Sequence, residues 1–261
     1  MIGTDAGGDG KATQLAVERK PGPKQGPGDR RALILSSAGG VDDPRASIFG
    51  RLTESERLAV APYCEHRLAR RHSLVFRQGQ RQDGIFIIQS GGVRVFFEAD
   101  TGRRITRAIW FTGHFIGGPD VFGHNPHMWS GIAIRDTSLV FLPTDTLQML
   151  CGRIPNLALG LIDALAFKGR CYAAMSQALG TRSASERISG LLEHLGELYG
   201  VRTEHGLEIQ FPITGSEIAD MVGVSRQWVT MGLKKLQAAG AIELQRGKIT
   251  ILDHAALAAR S

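Results

Sequence analysis

The stretch from Ile213 to Leu236 carries the most specific residue spacing in this chain of 261 residues. Thr214 and Glu217 stand three apart, the spacing at which a hydroxyl and a carboxylate each bond the other's backbone amide at a helix start. Ile218, Ala219 and Val222 give that helix one apolar face. Gly223 follows, where a tight turn needs a residue for which positive φ costs little. Ser225 is then spaced to cap a second helix, with Val229, Leu233 and Leu236 inward and Arg226, Gln227, Thr230, Met231 and Lys234 outward. Long polar side chains at the first positions of such a helix suit the chemistry of the DNA major groove, which its N-terminal turn enters first. Ile242 to Ile251 reads as a hairpin with Arg246 and Lys248 near its tip, a wing placed to touch phosphates. Helix pairs joined by glycine also occur in purely structural three-helix domains. Cap, glycine turn, Ser-Arg start and basic hairpin together favour the nucleic-acid reading.

Other segments must carry and control this module. Ile188, Leu191, Leu192, Leu195 and Leu198 predict an amphipathic helix from near Ser183 to Gly200, followed by a strand over 207–211. Upstream, Leu157, Leu161, Ala164, Leu165, Lys168, Cys171, Tyr172, Met175 and Leu179 recur at helical spacing over 155–180. That stripe must be buried, either against its own domain or in a seam between two subunits. From Leu74 to Pro143 the pattern is of short strands, at 74–76, 85–88, 93–97, 105–111, 131–134 and 139–142, punctuated by Gly79, Asp83-Gly84, Gly91-Gly92, Gly102, Gly113 and Gly117-Gly118. Strands and turns at this spacing predict an antiparallel barrel or jelly roll. Thr53 and Glu56 form a further capping pair ahead of a short helix. Residues 1–43, rich in Gly, Pro and Lys, are expected to be a flexible tail with one apolar patch, Leu33-Ile34-Leu35.

The predicted fold class is α+β: an N-terminal antiparallel, jelly-roll-like β-roll at 44–154, a long helix at 155–180 and a winged helix-turn-helix at 181–261. No apolar run approaches the roughly 20 residues of a spanning helix, and no signal peptide opens the chain. A cytoplasmic protein without membrane contact is expected. The formal net charge of +6 does not support DNA binding, because residues 181–261 hold nine basic and nine acidic residues. The local pattern does: between Met221 and Ile242 the only charges are Arg226, Lys234 and Lys235. Cys64, Cys151 and Cys171 are far apart, so no zinc ribbon or clustered iron–sulfur site is expected, nor any other metal or cofactor.

Residues 48–255 resemble the CRP/FNR family of bacterial regulators, most specifically in 213–236, Gly79, the 90–95 segment Ser-Gly-Gly-Val-Arg-Val, Gly113 and Phe115-Ile116-Gly117. The resemblance implies a homodimer joined along the 155–180 helix, a pseudo-palindromic site on double-stranded DNA and contact with RNA polymerase. Arg226 matches the first arginine of the family's common Ser-Arg-Glu-Thr-Val-Ser-Arg recognition pattern, and so is the candidate for bidentate bonds to guanine. Gln227 stands where Glu is usual and Met231 where Arg is usual, so a half-site other than the TGTGA-like element is expected. Trp228 replaces Thr. Cyclic-nucleotide-binding members hold the ribose with a Gly-Glu pair and the phosphate with an Arg-Ser pair about ten residues later. Here those positions read Gly117-Gly118 and His127-Met128, which leaves an effector pocket with neither charged group. Binding of cAMP is not expected, and the effector is an unknown small molecule, if one is required.

Weaker signals carry bland readings. His114, His124 and His127 suggest packing or solvated roles before a haem or metal site. The arginines at 67, 70, 71, 77 and 81 suggest a solvated basic face, and Cys171 inert packing unless it lies on a dimer seam. Two other function classes compete. A cupin-like metalloenzyme would need two His and a Glu converging from strands. An effector-binding regulatory subunit without DNA contact would leave Arg226, Thr230 and Lys234 unexplained.

Overall fold

The computed structural model describes residues 47–258 apart from His124 and Arg246, so the expected tail and its apolar patch lie outside the described residues. The capping box at Thr53 and Glu56 opens helix α1 (Glu54–Val60). Two four-stranded antiparallel sheets follow. One has the order β1 (Glu65–Ala69), β8 (Thr137–Pro143), β3 (Gly84–Ser90), β6 (Phe115–Ile116). The other has the order β2 (Leu74–Phe76), β7 (Ser130–Ala133), β4 (Gly92–Glu98), β5 (Arg104–Phe111). Strands far apart in sequence are neighbours in both, as in a jelly-roll-like β-roll, and Phe86, Ile88, Val93, Val95, Trp110, Leu139 and Phe141 pack between the sheets.

Two elements depart from the sequence reading. Strand β1 has four exposed residues of five and no apolar alternation, so only its pairing with β8 makes it a strand. At that sheet edge Arg67 lies 3.9 Å above the Phe141 ring and pairs with Glu65 at 2.9 Å, so part of the basic run is structural. Helix α2 (Thr144–Arg153) starts behind Pro143 without a side-chain cap and buries only Thr144, Leu147 and Leu150. Neither the caps nor the period of a longer helix was present to announce it.

Helix α3 (Pro155–Thr181) runs for 27 residues. Its inward face, with Leu157, Leu161, Ala164, Phe167, Lys168 and Cys171, packs against the β-roll of the same chain. The stripe read in the sequence therefore belongs largely to its own domain, and Cys171 is buried there. On the opposite side Leu159, Ile162, Ala166, Gly169, Ala173, Ser176 and Gly180 are exposed, at spacings that alternate between three and four.

Ser183 and Glu186 form a third capping box and open α4 (Ala184–Tyr199). Its Ile188, Leu191, Leu192 and Leu195 share a core with α5 (Gly215–Val222), α6 (Arg226–Ala238) and α7 (His254–Ala258). A sheet ordered β11 (Ile242–Gln245), β12 (Lys248–Ile251), β10 (Gly206–Ile209), β9 (Gly200–Thr203) closes this unit. Ile109 and Phe111 of β5 extend the same core, so the C-terminal unit sits on the outer face of the β-roll.

Candidate nucleic-acid interface and effector cavity

Thr214 accepts from the backbone of Glu217 at 3.2 Å, and the Glu217 carboxylate accepts from the backbone of Thr214 at 2.8 Å. This box starts α5, and Gly223 ends it in the left-handed region, at φ 73°. The Ser225 hydroxyl then accepts from the backbone of Trp228 at 3.3 Å and starts α6. Within α6, Val229 and Leu236 are buried and Leu233 is half-buried. At 100° per residue, Gln227, Thr230, Met231 and Lys234 fall on the opposite arc, and all four are exposed, as is Arg226. The Thr230 hydroxyl donates to the Arg226 carbonyl at 3.0 Å. Helix α6 carries no acidic residue, and its N-terminal amides add partial positive charge beside Arg226. On the adjacent hairpin, Lys248 is turned to Glu208 of β10 at 2.9 Å.

A second feature lies between the β-roll and α3. It is a cavity of about 110 Å³ walled by Trp110, Phe115, Trp129, Leu165 and Tyr172, with Gly117 and Gly118 at its side. Lys168 reaches into it from α3. Its side chain is only 7% exposed, and its Nζ lies 3.4 Å from the centroid of the Trp110 ring and 4.7 Å from that of Phe115. Burial pulls the ammonium down to about 7. His114, against Trp110 and Phe167, is driven down to about 3 by burial and by Lys168, and is neutral.

Residues 66–153 match the family model described as the cyclic nucleotide-binding domain, and residues 186–260 the Crp-like helix-turn-helix domain. The two models fall in sequence on the β-roll and on the unit that carries α5 and α6. The chain belongs to the CRP/FNR family of transcription regulators. It is similar to the CRP-like cAMP-activated global transcriptional regulator of Mycobacterium tuberculosis, at 26% identity over 83% of this chain and 97% of that protein. It is also similar to the transcriptional activator protein FnrA of Stutzerimonas stutzeri, at 25% identity over 71% of this chain and 75% of the other. The c-di-GMP responsive global regulator CLP of Xanthomonas campestris shares the fold, with a TM-score of 0.70 at 19% identity over 77% of this chain and all of that one. These relatives are transcription regulators and not enzymes, and DNA binding through the helix-turn-helix comes with the family.

In this CRP/FNR protein the residues expected at DNA divide into two groups. Gln227, Thr230, Met231 and Lys234 share the open side of α6, while Arg226 and Trp228 are exposed in its first turn. Ser225 and Thr214 are spent on helix caps, Lys248 on Glu208, and Arg246 lies outside the described residues. The expected effector pocket needs correction. Gly117 and Gly118 do line the cavity, but His127 and Met128 do not. His127 is buried behind the wall, where Nδ1 lies 2.5 Å from the Gly117 carbonyl, and Met128 is exposed. Counting residues along the loop could not tell wall from backing. The space beyond Gly118 holds the buried amide of Gln82, whose Oε1 would lie 2.7 Å from an added Cβ. A carboxylate there would meet both this amide and a φ of 145° that only glycine adopts readily.

Lys168 is the cavity residue that the sequence reading passed over, although a lysine at an inward position of an apolar stripe was its signal. His114 and His127 sit in separate surroundings, and His124 lies outside the described residues. Among the described residues no three of His, Cys, Asp and Glu converge as a metal site, and no single helix is long and apolar enough to cross a membrane.

Proposed function

We propose that this CRP/FNR regulator works in the cytoplasm as a homodimer that reads a pseudo-palindromic promoter site with two copies of α6. The observation that carries this reading is the exposed surface of α6, where Gln227, Thr230, Met231 and Lys234 form the open arc and Arg226 stands exposed in the first turn, in a helix without a carboxylate. Arg226 is assigned to guanine through its two parallel donors, Gln227 to adenine and Met231 to a thymine methyl. Lys234 serves the phosphates. Ser225 and Thr214 act by holding the two helices in register; Arg246 and Lys248 are assigned to the DNA backbone, for which Lys248 would exchange Glu208 for a phosphate. The exposed stripe from Leu159 to Gly180 supports dimerisation along α3, since a run of apolar and small residues at alternating spacings of three and four is a two-helix seam. Contact with RNA polymerase is proposed from family membership alone. The cavity beside Gly117 and Gly118 is assigned as the effector site, for a ligand other than cAMP.

Electrophoretic mobility shift of promoter fragments selected from genomic DNA, titrated with salt, tests the reading. Binding that falls steeply as salt rises, with a two-fold symmetric footprint, is expected. Absence of binding, or a salt-independent complex, would remove it.

A further inference from the structure

We propose that the cavity between the β-roll and α3 binds a compact organic monoanion, a carboxylate carried on one ring or one short branched chain, with Lys168 as its counter-charge. This rests on the assignment of the cavity as the effector site and narrows it to a ligand class.

The argument starts from the cost of the lysine. An ammonium taken out of water is unfavourable unless an anion or hydrogen-bond acceptors replace the solvent. The Nζ of Lys168 faces the rings of Trp110 and Phe115, and among the described residues the ionisable group beside it that favours its charge is the Cys171 thiol. That thiol is itself pushed up to about 11 by burial and carries no charge at neutral pH. His114 is neutral. Among the described residues no carboxylate forms an ion pair with Lys168, and the fold sets aromatic faces against its charge. A lysine is an expensive way to fill apolar space that leucine would fill without charge. A ligand carboxylate would complete the pair in low dielectric, where a charge-assisted bond is strong.

Size and lining fix the rest of the molecule. Pockets for drug-sized ligands span roughly 300–1,000 Å³, and an engineered cavity of about 150 Å³ takes one benzene ring. At about 110 Å³ this cavity admits a body of one ring or less. The walls of Trp110, Phe115, Trp129 and Leu165 are apolar, so the ligand must be apolar away from its charge. A nucleoside cyclic phosphate fails on both counts. Gly169 belongs to the cavity lining and also to the exposed stripe of α3, and nothing lies within 4 Å of where its Cβ would be. A ligand held by Lys168 therefore sits one residue from the proposed seam, which is how occupancy would reach the partner helix.

The test uses purified full-length protein without DNA. Sodium benzoate and sodium isovalerate are titrated by calorimetry and by quenching of tryptophan fluorescence, against benzamide as the uncharged counterpart of benzoate and against cAMP. At least one of the two carboxylates is expected to bind saturably, about tenfold or more tighter than benzamide, with cAMP weaker still. K168M is expected to lose about tenfold or more of that carboxylate's affinity while it keeps its affinity for benzamide. Equal affinity for benzoate and benzamide, no binding of either carboxylate, tighter binding of cAMP, or unchanged carboxylate binding by K168M would each overturn the proposal. The comparison among ligands on the unaltered protein stands whether or not the variant folds. Because no DNA is present, failure here leaves the DNA-binding reading intact, and failure of the mobility shift leaves this result intact.

Discussion

Arg94 of β4 and Asp220 of α5 form an ion pair at 3.3 Å across 126 residues of sequence, with side chains only 12% and 24% exposed. The pair ties the first helix of the helix-turn-helix to the outer sheet of the β-roll. Arg103 adds a second tie, donating at 2.6 Å to the carbonyl of Gly223 in the turn itself. Burial raises the Asp220 carboxyl, against the pull of Arg94 and Arg104, so the carboxylate is held at some cost by its partners.

A double-mutant cycle on this pair is therefore expected to show coupling. R94A and D220A should each loosen the C-terminal unit, and the cycle should return about 1–2 kcal/mol, within the range for contacting residues. Urea denaturation of the four proteins measures it. Additive effects would show that the two side chains do not support one another.

Arg226→Ala should separate base reading from charge. Loss of one bidentate contact corresponds to about 1–3 kcal/mol on the selected site. Random DNA should lose far less. Fluorescence anisotropy on both duplexes at one salt concentration gives the ratio, and an equal loss on both would mean that Arg226 touches phosphates only.

Ile162 is 61% exposed at the middle of the open stripe of α3. Ile162→Glu should convert the proposed dimer to monomer in sedimentation experiments, since two carboxylates would face each other across the proposed two-fold seam. A dimer that survives this change would place the subunit contact elsewhere.

Gly223→Ala should destabilise the protein by about 1–2 kcal/mol through the left-handed backbone alone. The nearest atom to an added Cβ is Leu179 Cδ2 at 3.5 Å, an ordinary contact. Gly223→Asn should cost less, because asparagine tolerates this conformation. Thermal unfolding compares the three.

Stability should also depend on pH through Lys168. Its value in the fold is about 7 against an ordinary 10.5, so the folded state binds fewer protons than the unfolded chain between those limits. Stability from this group rises as pH climbs from 7 to 10.5, and the penalty is complete below about 7. K168M should therefore melt above the unaltered protein at pH 7, each 1 kcal/mol moving the midpoint by about 2–4 °C, and the gap should close towards pH 10. The groups that face Lys168 are His114, Cys171 and Tyr172; His114 and Cys171 feel the lysine charge, but burial is the larger cause for each and holds His114 neutral and the Cys171 and Tyr172 protons in place between pH 7 and 10 in both proteins, so the difference reads Lys168. A gap that is constant with pH would show that the lysine does not titrate in this window.

The helix-turn-helix is legible in the sequence because its signals are local. Thr214 with Glu217, Gly223 and Ser225 each act within one turn of backbone, and each does so here. The outward arc of α6 follows from the helical period once Val229 and Leu236 are known to be apolar. Most of the β-roll strands were legible for the same reason, as apolar runs between glycine turns. Strand β1 and helix α2 were not, because pairing with β8 and burial of two leucines define them, and those are relations to distant residues.

What the sequence determined by itself was the identity and order of the modules, since caps, turns and apolar periods are written in neighbouring residues. Tertiary structure alone decided which stripe of α3 faces the β-roll and which is open, that Lys168 rather than His127 or Met128 reaches the cavity, and that Arg94 meets Asp220. Each of these is a contact between segments that the chain brings together only when it folds, so no spacing along the sequence encodes it.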